Sequence, residues 1–319
     1  MIGRQILVGM ALAALAWTIR ADEFLPVTLT RDIVYGNSGG VELKLDLARP
    51  VSSDQPLPAV VLIHGGGWQM GDKSGFETII EQFASFGYVA VSVGYRLAPE
   101  HPWPAQIEDV KCAVRYLRAN AAQYGIDPEK FAAAGHSAGA HLALLLGLMN
   151  PEDGFEGQKS NTGLSSKVQA VVNVAGPTDL RRWRALPEAQ AEAKAATGKD
   201  FEDVLADFAG TVDRTAPVIA QASPVTYIDA GDPPVCSFHG SADPVVPVEQ
   251  AILLHEAFDK AGLKHHKLTV LEGADHGFGD AMHLMRIVHG SRAFVDRWLK
   301  GIAPPATAMK TGTGQSVGE

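Results

Sequence analysis

Ser137 stands at the centre of Gly135-His-Ser-Ala-Gly139, a spacing suited to a hydroxyl nucleophile on a tight strand-to-helix turn. Glycines two residues to either side leave room for the strained backbone there. With 33 glycines in the chain, such a pattern can arise by chance, and Gly36-Asn-Ser-Gly-Gly40 matches it too. Context separates the two. Ser137 follows the apolar run Phe131-Ala-Ala-Ala134 and opens the apolar helical stretch Ala138 to Met149. Ser38 is followed by a strand and belongs to a turn. A helix that starts at the nucleophile also presents free N–H groups and a positive dipole end to a developing anion.

A serine hydroxyl is a weak nucleophile until a base takes its proton. Of eleven histidines, His276 is the best placed: Gly273-Ala-Asp-His-Gly-Phe278 follows the last apolar run, Lys267 to Leu271. Loops at the C-terminal ends of parallel strands are where such sites are built. His239 ends a core strand, and His283 and His289 fall within a helix, so packing or solvation accounts for them. The base needs an orienting acid. Asp243 lies in His239-Gly-Ser-Ala-Asp-Pro-Val-Val-Pro247, after the run Val235 to Phe238. Asp275 is the rival, but a side chain fixed one residue before the imidazole points away from it in most loop geometries. Asp229 and Asp232 precede their strand, at the wrong edge of a sheet. His64-Gly-Gly-Gly-Trp68 follows Ala59-Val-Val-Leu-Ile63. A flexible loop leaving a strand is its plain reading. Three glycines after a histidine are better explained by backbone N–H groups that approach a ligand closely, as an acyl-transfer oxyanion requires.

These residues must be held by a frame, and the hydropathy pattern supplies one. Continuous apolar runs at Ala59 to Ile63, Tyr88 to Val93, Phe131 to Ala134, Val168 to Ala175, Val235 to Phe238 and Lys267 to Leu271 are expected of strands covered on both faces. Helical segments near 76–86, 105–123, 138–149 and 248–261 alternate with them, with Gly87 and Gly262 placed to end helices. The alternation implies an α/β fold with a doubly wound, mostly parallel sheet. Val41 to Leu47 alternates in polarity and pairs through Asn37-Ser-Gly-Gly40 with an earlier strand near Val27 to Tyr35. Residues 178–223 break the rhythm: polar, alanine-rich and mostly helical, they are too long for an ordinary connection. They are expected to be an inserted helical lid on which few core contacts depend. The tail 303–319 has no periodic pattern and is expected to be disordered.

A net charge of −9 argues against nucleic acid or an anionic membrane as the main partner. Residues 1–21 differ from the rest: Arg4, then an apolar run from Ile6 to Trp17, then Ala21 before Asp22-Glu23. This is the pattern of a secretory signal peptide, and the run is short for a membrane span of about 20 residues. It implies a secreted or periplasmic protein whose main domain is 22–302. Cys112 and Cys236 fall in a helix and a buried strand, and are expected to be core thiols not joined to each other. Neither a disulfide framework nor a zinc site is indicated.

Together, His64-Gly-Gly-Gly-Trp68, Tyr95-Arg-Leu-Ala-Pro-Glu-His101, Gly135-His-Ser-Ala-Gly139, Gly240-Ser-Ala-Asp243 and Asp275-His-Gly-Phe278 resemble the α/β-hydrolases. The chain is most similar to bacterial esterases related to feruloyl and acetylxylan esterases, and next to hormone-sensitive-lipase-like carboxylesterases. The resemblance spans about Val41 to Leu299. It implies a serine carboxylesterase acting through Ser137, His276 and Asp243, with the Gly66, Gly67 and Ala138 amides as oxyanion donors and His64 shaping their loop. It implies no cofactor and no metal, a small-molecule ester as partner, and no stable membrane partner. Ala140 departs from relatives that carry another glycine there. Trp68 and Trp183 are candidates for an aromatic acyl pocket, with core packing as the equal alternative. Arg96 is expected to form a buried ion pair with Glu100 or Asp109. An arylformamidase-type amidase is the second enzyme reading, and a non-catalytic ligand receptor on the same fold is the reading from another class. A lid rich in charged residues suits short or aromatic acyl esters better than long-chain lipids.

The export pattern makes one outcome checkable. The N-terminus of protein recovered from the producing cell is expected at Asp22 or a near neighbour; Edman sequencing that finds Met1 in a cytoplasmic fraction would overturn it.

Overall fold

The computed structural model describes residues 24–302 apart from 158–160 and 162. The expected signal peptide at 1–21 and the tail at 303–319 lie outside the described residues. Among the described residues, no helix is long and apolar enough to cross a membrane.

The chain opens with the hairpin β1 (Val27–Ser38) and β2 (Val41–Pro50), followed by β3 (Leu57–Ile63), α1 (Glu77–Ser85) and β4 (Val89–Val93). Next come α2 (Ala105–Ala119), the short α3 (Ala121–Tyr124), β5 (Ile126–His136), α4 (Ala138–Leu148) and β6 (Ala170–Val174). The 178–223 interval carries α5 (Pro187–Thr197), α6 (Phe201–Ala209) and α7 (Pro217–Gln221). The chain closes with β7 (Val235–Gly240), α8 (Glu249–Lys260), β8 (His266–Leu271) and α9 (Ala281–Lys300).

The eight strands form one sheet in the order β1-β2-β4-β3-β5-β6-β7-β8. β2 runs antiparallel to both its neighbours, and every pairing from β4 onward is parallel. This is the doubly wound, mostly parallel sheet expected from the alternating runs, and the α/β-hydrolase fold that the resemblance implies. The central strands are apolar on both faces because both faces are covered. Val61 and Ile63 of β3 point into a cluster with α2 and α4, while Val60 and Leu62 point into a second with α1 and α9. Cys112 and Cys236 are buried in different clusters, so the sheet lies between them and no disulfide joins them. Ser38 ends β1, and Gly39 and Gly40, both at positive φ, turn the chain into β2. The second glycine-flanked serine is therefore a hairpin residue, as its context implied.

Arg96 settles on Asp109 rather than Glu100. Its Nε lies 2.9–3.1 Å from both carboxylate oxygens, its Nη2 donates to Oδ1 at 2.8 Å, and its backbone N–H donates to Oδ2 at 2.9 Å. Burial pushes the Asp109 carboxyl up while Arg96 draws it back.

The 178–223 interval is helical, but the expectation that few core contacts depend on it is corrected. Leu180, Leu205, Phe208 and Ile219 are fully buried in the main cluster. The Trp103 backbone N–H donates to Phe208 O at 2.7 Å, and Thr178 and Asp179 donate to the Gln250 side chain at the start of α8. The segment is alanine-rich on average, and most of its few large apolar side chains turn inward, while Leu186 and Val212 stay exposed. Composition conceals that arrangement.

Phe208→Ala is accordingly expected to destabilise the fold by about 3–5 kcal/mol, the usual cost of emptying a buried aromatic site. Val212→Ala, at an exposed position of the same interval, is expected to cost under about 0.5 kcal/mol. Urea midpoints of the two variants check this.

Candidate active site

Four chain segments meet at the C-terminal edge of the parallel strands: those after β3, β5, β7 and β8. Ser137 sits between β5 and α4 with φ 56° and ψ −124°, a conformation that costs an ordinary residue roughly 1–3 kcal/mol. The turn can be this tight only because of its glycines. A Cβ on Gly139 would lie 1.9 Å from Ile63 O, and one on Gly135 would lie 2.4 Å from the Gly139 carbonyl carbon. The Ser137 N–H donates to Val174 O at 2.9 Å, and Ser137 O accepts from the His141 N–H at 3.0 Å, fastening the turn to β6 and to its own helix.

His276 lies 139 residues further along the chain, yet its Nε2 is 2.9 Å from Ser137 Oγ. Its Nδ1 is 2.7 Å from Asp243 Oδ2. A carboxylate only accepts, so Nδ1 carries the proton and Nε2 is left to accept from the serine hydroxyl. The Asp243 side chain is completely buried. Its Oδ1 accepts from the Val245 and Val246 amides, both at 2.9 Å, which aims Oδ2 at the imidazole. Asp275 is exposed, and its Oδ1 accepts from the Gly277 N–H at 3.0 Å. Asp229 and Asp232 lie before β7, at the opposite edge of the sheet. The structure thus brings Ser137, His276 and Asp243 together and leaves the rival acids apart.

The His64–Trp68 loop leaves β3 and passes over Ser137: a Cβ on Gly65 would lie 3.3 Å from Ser137 Cβ. Gly66 O accepts from the Gln69 and Met70 amides, turning the loop back. The Gly66, Gly67 and Ala138 amides donate to no acceptor among the described residues. His64 is a scaffold. Its Nδ1–H donates to Gly65 O at 2.8 Å, its ring stacks on Tyr95 at 4.3 Å, and the Tyr95 hydroxyl donates to His64 O at 2.9 Å. Ala140 is buried, and its Cβ would lie 2.8 Å from a Cβ on Gly176.

Trp68 and Trp183 are buried, with ring centroids 5.9 Å apart. Trp68 stacks on Phe208 at 4.1 Å, and Trp183 donates its indole N–H to Val245 O at 2.9 Å. In this arrangement both pack as core, behind the loop rather than on an open pocket wall.

Three further histidines lie around the site, His136, His141 and His239, of which the sequence accounts for His239 as packing. His136 donates its Nε2–H to His276 O at 2.9 Å and so supports the loop that carries His276. His141, on α4, bridges Trp68 and Ala222. His239 donates its Nε2–H to Val246 O at 2.7 Å, bracing the Asp243 loop. Their signal in the sequence is a polar ring inside an otherwise apolar strand or helix. Burial lowers all three pKa values, to about 4 for His136 and His141, so these rings stay neutral around the site.

The chain matches the BD-FAE family model over residues 45–258. It is 32% identical to esterase LipC of Mycobacterium tuberculosis, covering 82% of this chain and 66% of that one. Among solved structures it is similar to propionate-bound esterase Est2 of the planctomycete Thermogutta terrifontis. The TM-score is 0.70 at 30% identity, over 86% of this chain and 96% of that one. A truncated carbohydrate esterase from gut microbiota gives a TM-score of 0.65 at 27% identity, over 86% and 98%. The chain spans about half to two thirds of the length of the curated relatives it matches first.

The neutral histidines give the fold a pH dependence with a definite sign. His136 and His141 fall to about 4, and His255, whose Nε2 contacts Ser237 Oγ, falls to about 3, against an ordinary 6.5. At pH 5 the unfolded chain binds a proton at each and the folded chain does not, so their contribution is complete above pH 6.5 and is lost as pH falls towards 4. Unfolding at pH 5 is expected to take up about three protons at these sites. Denaturant titrations from pH 7 to pH 5 should show the midpoint falling, with His255→Gln flattening the slope by about one proton.

Proposed function

This chain belongs to the BD-FAE family of α/β-hydrolases, and on that premise we propose that it is a serine carboxylesterase acting on short-chain or aromatic acyl esters through Ser137, His276 and Asp243. One observation carries the reading: a single imidazole is hydrogen-bonded to Ser137 through Nε2 and to the buried Asp243 through Nδ1. Ser137 Oγ attacks the ester carbonyl carbon while His276 Nε2 takes the hydroxyl proton. Asp243 keeps Nδ1 protonated and supports the imidazolium that forms. The Gly66, Gly67 and Ala138 amides receive the oxyanion, each worth about 3 kcal/mol in turnover. His276 returns its proton to the departing alkoxide. Water, deprotonated by the same ring, then releases the acid from the acyl-enzyme.

A short acyl group is supported by the propionate in the similar Est2 structure. The charged helical interval 178–223, read as the lid, supports it too, since lipid interfaces favour apolar lids. Export directed by residues 1–21 belongs to the same proposal.

The test is kinetic. Turnover of p-nitrophenyl acetate and butyrate is expected to exceed that of the palmitate in kcat/KM, and Ser137→Ala is expected to abolish it along with phosphorylation by paraoxon. Asp243→Asn should lose about 10⁴ in kcat while remaining folded by circular dichroism. Asp275→Asn should stay within a few fold. Turnover retained by Ser137→Ala would overturn the reading, and the opposite ranking of the two aspartates would overturn the choice of acid.

A further inference from the structure

His141 is completely buried on α4, one turn beyond Ser137, and makes contacts on both ring nitrogens. Nδ1 lies 3.2 Å from Trp68 Nε1, and Nε2 lies 2.6 Å from Ala222 O. An indole only donates and a carbonyl only accepts, so the ring carries its proton on Nε2 and accepts at Nδ1. Its depressed pKa agrees with a neutral ring.

Trp68 follows Gly67 directly and holds its backbone at φ 61°, a region bulky residues avoid. Its neighbours hold it there: Phe208 stacks on the indole at 4.1 Å, and the His141 ring meets it edge-on at 5.1 Å. Gln69 Nε2 donates to Val204 O at 3.1 Å from the other side of the turn. Apolar packing alone would be met by a leucine or phenylalanine at position 141. A buried imidazole costs free energy unless both nitrogens are satisfied, and here both are.

We propose that His141 is a positioning residue for the oxyanion loop. The bond from Trp68 Nε1–H to His141 Nδ1 ties the Gly66 and Gly67 amides to the helix that presents Ser137. The bond from His141 Nε2–H to Ala222 O braces that tie from the 178–223 interval. The proposal rests on the reading of Gly66 and Gly67 as oxyanion donors. Such donors must sit about 2.7–3.1 Å from where the oxyanion forms, so a loosened loop weakens the transition state and leaves ground-state ester binding nearly unchanged.

Two isosteric changes separate the two bonds. Asparagine sets an amide oxygen close to the Nδ1 position and can still accept from Trp68. Glutamine sets an amide N–H close to Nε2 and keeps only the Ala222 bond. His141→Gln is expected to lower kcat on p-nitrophenyl acetate by about 10–100-fold with KM within about 3-fold, and His141→Asn to recover most of that loss. Trp68→Phe keeps the stack, removes the indole N–H, and should lose a similar factor in kcat. Because the two partners share one bond, the Trp68→Phe/His141→Gln double variant should lose little more than either single one. Equal losses for Asn and Gln, or multiplicative losses in the double variant, would overturn the proposal and leave His141 as packing. Should His141→Gln fail to fold, Trp68→Phe decides alone, and an unchanged kcat overturns it. If Ser137→Ala abolishes turnover while these variants keep full kcat, only this proposal falls. If Ser137→Ala stays active, the reading beneath it falls as well.

Discussion

The backbone at Ser137 is held at φ 56° and ψ −124°, and the surrounding structure is arranged to keep it there. Left to itself the turn would relax, since a side chain at positive φ crowds its own backbone. It is fixed by a hydrogen bond to β6, by the start of α4, and by β3 passing so close that no side chain fits at Gly139. The strain is met by rigid neighbours, so the hydroxyl stands at a defined point above the sheet edge. Each other contact of the site is measured from that point.

The histidines illustrate how one side-chain type is sorted by its surroundings. His136, His141 and His239 donate to backbone carbonyls and are kept neutral by burial. Each fastens a different segment of the site. His276 alone among these four has a buried carboxylate at hydrogen-bond distance on one nitrogen and a serine hydroxyl on the other. Its ring is also partly open to solvent, which suits a group proposed to take and return protons. The neutral rings add no positive charge beside Asp243, although the His239 Nε2 lies 3.6 Å from its Oδ2.

The 178–223 interval illustrates the reverse case, in which composition misleads. Its glutamates, its lysines and most of the α5 alanines describe the outer surface of its helices. Its inner surface is set by a handful of residues, with Phe208 stacked on Trp68 and Ile219 fully buried. Through Trp68 the interval bears on the glycine loop, so it helps to hold the site.

The sequence by itself determined the strand-helix rhythm, because strands buried on both faces must be apolar throughout and the helices between them must have one apolar face. It also determined which serine belongs to a strand-to-helix turn, since that depends on residues adjacent in the chain. That Asp243 and not Asp275 meets the His276 ring was legible for the same reason: chain geometry forbids an easy contact between neighbours. The tertiary structure decided what depends on distant segments. It placed Trp68 and Trp183 in core packing, chose Asp109 as the partner of Arg96, and joined His141 to Trp68 and Ala222 across 73 and 81 residues. No local pattern encodes such pairings, because a hydrogen bond between elements exists only after the sheet has brought them together.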